Sequence, residues 1–488
     1  MTRSTVRPYA AISAALVVLA GCAVGPTYRR PALKAPAAWK ETQDAHEEPL
    51  WQEARPQDTF ARGPWWEAFN DPQLDLLEVQ AVQANQSVAA ALARLDRARA
   101  VARLPKADLL PTFEANPSYS HYQRSLSGFG GVGSLTNDDF HVPFDLSYEV
   151  DLWGKVRRSF EGAHAQAQAS QAAYETVRLS VTGEVARTYF LLRALDAELA
   201  ALRQTVELRR QAQQLIEQRV GVGLSSELDR TRVLAEVKTA EAESLDVERQ
   251  RAELEHALAV LCGRAAPEFT VPAAPLEGDP PHVPSGIPSW VLERRPDVAE
   301  AERLMAAANA RIGVAQAAYF PVLSLAGSAG WQAAKLENLI TADSVVWSLG
   351  SSLSVPIFAG GRSSANLKAA QAEYAQAVAD YRSRVLTAFQ EVEDALAAIR
   401  LLARQQEAQA GVVEASRQAA TLSLERFTQG LVSFLDVVDT ERTRLDAQRR
   451  AAQIHGRRMT ATILLIKALG GGWDTPPGRL QTRHRTGL

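Results

Sequence analysis

The most regular feature of the chain is a strict alternation of apolar and polar residues in two short stretches. In FDLSYEVDL (144–152), Phe, Leu, Tyr, Val and Leu alternate with Asp, Ser, Glu and Asp, and WSLGSSLSVPI (347–357) is closely similar. Weaker alternation follows Pro111 and Pro321. Because successive side chains of a β-strand point to opposite faces, these patterns predict four strands. Their approximate bounds are 111–122, 139–152, 321–332 and 346–358.

Each predicted strand has one face of acids and serines and one face of aliphatic and aromatic residues. That distribution fits an ordinary half-buried hairpin, a soluble sandwich or a transmembrane barrel with a wet lumen. Two hairpins are too few to close a barrel, which needs about eight strands. The strands therefore form isolated ribbons, or several chains pool them. A homotrimer would supply twelve.

Outside these stretches, apolar residues recur every three or four positions among Ala, Gln, Glu and Arg, which is typical of helices with one packed face. Proline is absent from the two longest helical segments, and at 1.5 Å per residue their roughly 63 residues span about 95 Å. No globular domain of this size accommodates such a helix. The predicted helices are Leu74–Leu104, Val156–Gln218, Ser226–Cys262, Pro296–Ala318, Ser363–Thr428 and Ser433–Leu469.

The chain is an internal duplication. Three pairs of similar segments occur in the same order, about 205 to 210 residues apart: LPKADLLPTFEANPSYS (104–120) with VAQAAYFPVLSLAGSAG (314–330), YEVDLWGKVR (148–157) with LSVPIFAGGR (353–362), and RVGVGLSSELD (219–229) with RFTQGLVSFLD (426–436). Each half is predicted to run helix, strand, loop, strand, very long helix, tight turn and return helix.

These patterns divide the chain into six segments. They are a signal peptide (1–21), an N-terminal segment (22–70), the first repeat (71–265), a proline-rich link (266–295), the second repeat (296–470) and a C-terminal tail (471–488).

Composition narrows the possible functions. The 488-residue chain has 53 Lys and Arg against 56 Asp and Glu, so no nucleic acid partner is expected. Beyond the N-terminus, no apolar run reaches the roughly 18 residues of a membrane-spanning helix. The histidines lack the spacing of metal ligands, and no nucleophile motif occurs. We therefore expect no enzyme activity, no metal and no cofactor.

The N-terminus has the pattern of an export signal. Arg3 and Arg7 form a positive region, and residues 10–20 form a short apolar core. The core ends in Leu-Ala-Gly-Cys, which matches the bacterial lipobox and predicts a covalent lipid on Cys22. An ordinary cleaved signal with an incidental cysteine is the alternative. Since Ala23 rather than Asp follows, sorting to the outer membrane is expected.

Two carboxylates stand out in the second repeat. Asp436 and Asp439 lie three residues apart just past a turn and share one face of a helix. The first repeat has Asp229 and Arg232 at the matching positions, so only the second repeat has two acids. One interpretation is a solvated helix start, where acids suit the helix dipole and Arg442 pairs with Asp439.

Several segments resemble the TolC-type outer-membrane efflux channels, and most closely their OprM/NodT-like lipoprotein branch. They are CAVGPTYRRP directly after the lipobox, WWEAFNDPQLDLLEVQAVQAN (65–85), RRPDVAEAERLMAAANARIGVAQAAYFPVLSLAG (294–327) and VPIFAGGR (355–362). The resemblance extends from Cys22 to about Trp473.

The resemblance implies an α+β membrane protein that assembles as a homotrimer. Twelve strands would form an outer-membrane β-barrel, continuous with a long periplasmic α-helical barrel. A mixed belt would be built from Trp39–Trp65, Pro267–Arg295 and the C-terminal tail. The implied function is passive export of small molecules that an inner-membrane pump delivers through a periplasmic adaptor. The partners are therefore that adaptor, that pump and outer-membrane lipid.

The resemblance also implies roles for individual residues. Three copies of Asp436 and Asp439 would ring the periplasmic entrance and favour cations or cationic cargo. Val432 stands where some members carry a basic residue that holds the entrance closed, so the closing contacts are expected to differ here. The adaptor would dock on the turns at Gly223, Leu224, Ser225, Gly430, Leu431 and Val432.

Two other functions remain open from the sequence. A stand-alone porin would also have polar-faced strands, but it would not need the two matched turns. A structural lipoprotein that spans the periplasm without a pore would not need a second polar face on its strands.

Overall fold

The structure, a computed structural model, describes residues 23–31, 35–36, 38–42, 63–125, 134–283 and 288–471. The predicted signal peptide, Cys22 and the tail after residue 471 lie outside these ranges. The chain divides into two compact units. The sheet unit is built from Met1–Ala32, Arg94–Gln171 and Glu300–Arg382, and the helical unit from Leu33–Ala93, Ala172–Ala299 and Ser383–Leu488.

The two halves have the same order of main elements. The first half contains α1 (Pro72–Ala84), α2 (Gln86–Val101), α3 (Leu104–Ala107), β1 (Thr112–Ala115), β2 (Ser118–Ser125), β3 (Ser134–Val150), α4 (Lys155–Gly221) and α5 (Glu227–Leu261). The second contains α6 (Pro288–Arg294), α7 (Pro296–Ala317), β4 (Val322–Ala333), β5 (Val345–Ser354), α8 (Arg362–Thr428) and α9 (Phe434–Ala468). Helices α4 and α8 have 67 residues each, and α5 and α9 have 35 each.

The leading helix of the first half differs from the prediction. Instead of one helix over Leu74–Leu104, the chain forms α1, α2 and α3. The side chain of Asn85 causes the first break, because it accepts hydrogen bonds from the backbone N–H groups of Ser87 (2.9 Å) and Val88 (3.2 Å). Its amide also donates to the carbonyl of Leu261 at 2.8 Å. Asn85 thus begins a new helix, as an N-cap residue does.

Two further elements correct the prediction. The strand expected over 111–122 is two strands, β1 and β2, since Pro117 lies between them and has no backbone N–H to donate. Both pair with β3. The proline-rich link predicted over 266–295 contains a helix, α6.

The sheet is antiparallel in the order β1–β3–β4–β5, with β2 also beside β3. Leu146 lies opposite Gly327, which lies opposite Leu349, and these residues belong to the apolar face. On the other face, Asp145 lies opposite Ser328. The register therefore keeps the two predicted faces separate across all the strands. Within the described residues, the outer edges of β1 and β5 pair with no further strand.

The helical unit has a conventional apolar core. Leu74, Tyr189 and Ile463 are almost completely buried, and the indole N–H of Trp65 donates to the hydroxyl of Thr182 at 3.3 Å. Among the helices of the described ranges, none is both long enough and apolar enough to cross a membrane.

Candidate functional site: the turns between the paired helices

The turns after α4 and α8 have the same backbone geometry. Gly223 and Gly430 have φ of +79° and +77°, in the left-handed region that glycine tolerates best. The residue after each glycine donates its N–H to the carbonyl five residues earlier, at 2.7 and 2.9 Å. These bonds are those of the Schellman motif, which ends a helix sharply. Each return helix therefore begins only a few residues later.

The turns present one exposed leucine each. Leu224 and Leu431 are 68% and 69% exposed. Ser225 and Val432 are half-buried, and the two turn glycines are exposed. The structure thus places the six predicted docking residues in two turns with matching exposed leucines.

An apolar cluster joins the ends of α4, α5, α8 and α9, and we call it the tip cluster. The rings of Phe427 and Phe434 are 5.5 Å apart, and the guanidinium of Arg219 lies 5.0 Å from the ring of Phe427. The resemblance implied that some members carry a basic residue at position 432. In this chain Val432 packs against the tip cluster instead. The buried members are Ile216, Val233, Phe427, Phe434 and Val437.

Asp436 caps a helix. Its carboxylate accepts hydrogen bonds from the backbone N–H of Ser433 at 2.9 Å and from the Ser433 hydroxyl at 2.6 Å. In the first repeat, Asp229 accepts the same two bonds from Ser226, at 3.1 and 2.8 Å. These two hydrogen bonds hold the pKa of each carboxyl below its usual value, and the bond from the serine hydroxyl has the larger effect. Asp436 therefore has a structural role that both repeats share.

Asp439 has no such role. It is exposed, and within the described residues its carboxylate has no hydrogen bond or ion pair. The suggested pair between Arg442 and Asp439 is not formed, because Arg442 binds Glu236 on another helix. Of the two predicted entrance carboxylates, Asp439 is the one without a partner among the described residues, and it has no acidic counterpart in the first repeat.

A buried ion cluster connects three helices next to the tip cluster. Glu236 of α5 is 8% exposed, and its carboxylate lies 3.2 Å from a guanidinium nitrogen of Arg209 on α4. Arg442 of α9 donates two hydrogen bonds to the same carboxylate, one of them at 3.2 Å. Burial lowers the pKa of Arg209. One glutamate thus pairs with arginines from both repeats.

This ion cluster was not predicted from the sequence, although the sequence contains a signal for it. Val233, Val237 and Ala240 are buried at the helical spacing of a packed face, and Glu236 lies beside Val237 on that face. A carboxylate on a packed face requires a cationic partner. One cationic partner, Arg442, is 206 positions away in the sequence, so spacing alone does not identify it.

Within the part of the chain that the structure describes, no group of three or more His, Cys, Asp or Glu side chains is arranged to hold a metal ion. What the turns present is an exposed leucine in each repeat and, close to one of them, an unpartnered carboxylate. Exposed leucines can pack against a partner surface, and a free carboxylate can attract cations.

Comparisons with known proteins identify the family of the chain. The family described as outer membrane efflux protein matches residues 77–264 and 287–471, one stretch in each half. Outer membrane protein OprJ of Pseudomonas aeruginosa is 33% identical over 488 residues, which cover 99% of this chain and 99% of OprJ. The toluene efflux pump outer membrane protein TtgI of Pseudomonas putida is 33% identical over 463 residues, which cover 94% of this chain and 97% of TtgI.

A solved structure is also similar. The outer-membrane channel OprN superimposes with a TM-score of 0.84 at 29% identity, covering 93% of this chain and 100% of the OprN chain. The predicted resemblance to TolC-type efflux channels is therefore confirmed, as are the efflux function and the outer-membrane location. The chain belongs to the outer membrane efflux protein family and is an outer-membrane channel component of an efflux pump.

Proposed function

We propose that three copies of the chain form a passive export channel. Their sheets would close a twelve-stranded barrel in the outer membrane, and α4, α5, α8 and α9 of each copy would continue it as a periplasmic helical barrel. The observation that carries this proposal is the sheet, which has two unlike faces and, within the described residues, two outer edges that pair with no further strand. Pooling the strands of several copies satisfies those edges, because a closed barrel has none.

The exposed apolar face of the sheet is an argument for contact with lipid. Trp347, Leu349 and Leu353 of β5 are 77%, 78% and 63% exposed. A continuous apolar surface of this kind marks contact with a membrane or with another protein. Because Asp145 and Ser328 share the opposite face, that face would line the wet lumen.

We assign the turns to docking of the periplasmic adaptor. Leu224 and Leu431 are exposed and occupy matching places, so an adaptor could bind both repeats in a similar manner. The channel itself would consume no energy, and the inner-membrane pump would supply the driving force. In this proposal the chain has no catalytic residue and no cofactor besides the lipid on Cys22.

The carboxylates near the turns would select charge at the entrance. Three copies bring together three Asp439 side chains, with the three Asp436 caps close by. At about 8 Å in water, each like-charged pair costs only about 0.5 kcal/mol. Repulsion on that scale is too weak to set the state of the entrance. Packing of the tip cluster and the Glu236 ion cluster would do so, while the carboxylates attract cationic small molecules.

The predicted lipid on Cys22 agrees with the position of the following residue. Ala23 lies against Gly154, just after β3: a Cβ atom built on Gly154 would lie 2.6 Å from the Ala23 Cβ. A lipid one residue earlier would thus lie near one end of the sheet. Cys22→Ser should impair sorting more than pore structure. A Cys22→Ser protein that reaches the outer membrane in normal amounts would show that the lipobox interpretation is wrong.

Crosslinking tests the docking assignment. A photoreactive amino acid at Leu224 or Leu431 should trap the adaptor in cells, because these side chains would face it. Leu245 of α5 is a matched control, since it is 66% exposed but lies well away from the turn. Equal trapping at all three positions, or at none, would remove the assignment. The mass of the purified protein in detergent checks the trimer independently.

A further inference from the structure

The two repeats differ in charge where the leading helix turns into the first strand. In the first repeat this junction is Arg103–Leu110, directly before β1. The matching positions of Arg103 and Lys106 in the second repeat are Gly313 and Gln316, which carry no charge. The duplication has therefore placed two cations at one junction only.

The second junction is covered by the chain itself. The N-terminal segment 23–31 lies across it, and the amide of Asn309 donates to the carbonyl of Pro26 at 2.9 Å. Gly25 and Gly313 are in such close contact that a Cβ atom on Gly25 would lie 2.5 Å from the Gly313 Cα. A side chain as large as arginine has no room at Gly313.

The first junction is open. Leu104 and Leu110 are 65% and 68% exposed, and Arg103 and Lys106 are exposed as well. Within the described residues, neither cation has a hydrogen bond or an ion pair. The backbone is nevertheless well ordered, because the N–H of Ala107 donates to Arg103 O at 3.0 Å and that of Leu110 to Ala107 O at 2.9 Å.

The charge around the junction is strongly positive. Residues 94–108 contain five cations and two acids, Asp96 and Asp108, and Asp96 lies 3.7 Å from Arg99. Exposed leucines beside exposed Lys and Arg are the combination that membrane interfaces favour, since the long side chains reach the headgroups while the apolar ones enter the acyl region.

We propose that the junction Arg103–Leu110 binds anionic phospholipid at the periplasmic face of the outer membrane. Arg103 and Lys106 would contact the phosphate groups, and Leu104 and Leu110 would lie at the acyl boundary. The proposal rests on the proposed function, in which the sheet that begins two residues later spans the membrane. The second repeat needs no such site, because segment 23–31 covers its junction.

Lipid retention by the full-length protein tests this site. The protein is reconstituted in phosphatidylcholine nanodiscs containing phosphatidylglycerol, and the lipids that remain bound are counted by native mass spectrometry. Arg103→Gln/Lys106→Gln should lower the preference for phosphatidylglycerol about fivefold for each charge removed. Arg404→Gln/Arg426→Gln, which removes two exposed cations of α8, should leave it unchanged.

The possible results distinguish a failure of the lipid site from a failure of the proposed channel function. Equal phosphatidylglycerol retention by wild type and Arg103→Gln/Lys106→Gln overturns the lipid site. A variant that loses trimer stability without a change in bound lipid overturns it too, because that result would mean that a neighbouring copy covers the junction. Leu104→Ser/Leu110→Ser should reduce retention of both lipids. A wild-type protein that forms no conducting trimer contradicts the proposed function, whereas its lipid preference still reports on this surface.

Discussion

Arg442 of α9 donates two hydrogen bonds to the buried carboxylate of Glu236 on α5, which also faces Arg209 of α4. This contact connects the second repeat to the first next to the turns. A basic residue at position 432 is not required for it, since Val432 contributes to the tip cluster instead. The four helix ends are thus held by apolar packing and by one buried ion cluster.

Removing the shared carboxylate should destabilise the protein more than removing one of its arginine partners. Glu236→Gln leaves the buried Arg209 without its anion and also removes the partner of the more exposed Arg442, so it should lower the apparent free energy of unfolding by about 3 kcal/mol. Arg442→Gln should cost only about 1 kcal/mol, because its side chain is 58% exposed and Glu236 keeps Arg209. Thermal unfolding in detergent measures both effects.

Arg450→Gln is the matched control for these variants. Arg450 is 65% exposed and, among the described residues, pairs only with Asp446 on its own helix, so its loss should be nearly silent. Should Arg442→Gln prove as costly as Glu236→Gln, the shared carboxylate would not be the centre of the cluster.

Asp436 and Asp439 should behave differently when neutralised. Asp436→Asn weakens the cap on Ser433, so amide hydrogens in the first turn of α9 should exchange faster, as they should in α5 for Asp229→Asn. Asp439→Asn should leave exchange unchanged and reduce the preference for cations, measured as the reversal potential in a salt gradient. Faster exchange in Asp439→Asn, or an unchanged reversal potential, would contradict its assignment to charge selection.

Alanine should have opposite effects at two glycines of the α8 region. Gly430 has φ of +77°, so Gly430→Ala should destabilise the protein by about 1 kcal/mol. Gly411 lies inside α8 with open space around it, and Gly411→Ala should stabilise by up to about 1 kcal/mol through better helix propensity. Unfolding midpoints of the two variants are compared with that of the wild type. A shift in the same direction for both would rule out backbone strain as the cause.

Stability should depend on pH through Glu78. This side chain is fully buried, and burial raises its pKa well above the usual 4.5, with the charge of Asp75 adding to the effect. The folded state therefore keeps this proton to higher pH than the unfolded chain, so stability falls as pH rises above 4.5. Glu78→Gln should be increasingly more stable than wild type from pH 4.5 towards neutral.

Glu241 provides a control of opposite sign. Hydrogen bonds from Lys238 and then Arg210 hold its pKa below the usual 4.5, so its contribution is present above that pH and lost in acid. Glu241→Gln should therefore become less stable than wild type as pH rises. If the difference in stability between Glu78→Gln and the wild type does not change with pH, Glu78 is already ionised in the folded protein.

Local patterns predicted much of the fold. Alternation placed Leu146 and Asp145 on opposite faces, and the register keeps them there. A helix was predicted to begin at Ser433, and the capping bonds between Ser433 and Asp436 form there. Both features depend on residues close together in the chain, so spacing alone is informative.

Contacts between distant residues were not predictable in this way. Asn85 breaks the leading helix while its amide contacts the carbonyl of Leu261, 176 positions away. Arg442 has an acid within reach on its own helix and still pairs with Glu236 on another. Leu261 and Glu236 are brought close to these side chains only by the fold, and a short stretch of sequence contains no information on them.

In the proposed function, three copies of this chain form one continuous pore. Single-channel recording of the purified, full-length trimer in a planar bilayer is the decisive measurement of that pore. A pore predicts discrete conductance steps that persist in Asp436→Ala/Asp439→Ala with reduced cation preference. Trimers that insert but give no conductance, in the wild type and in this double variant alike, would contradict it.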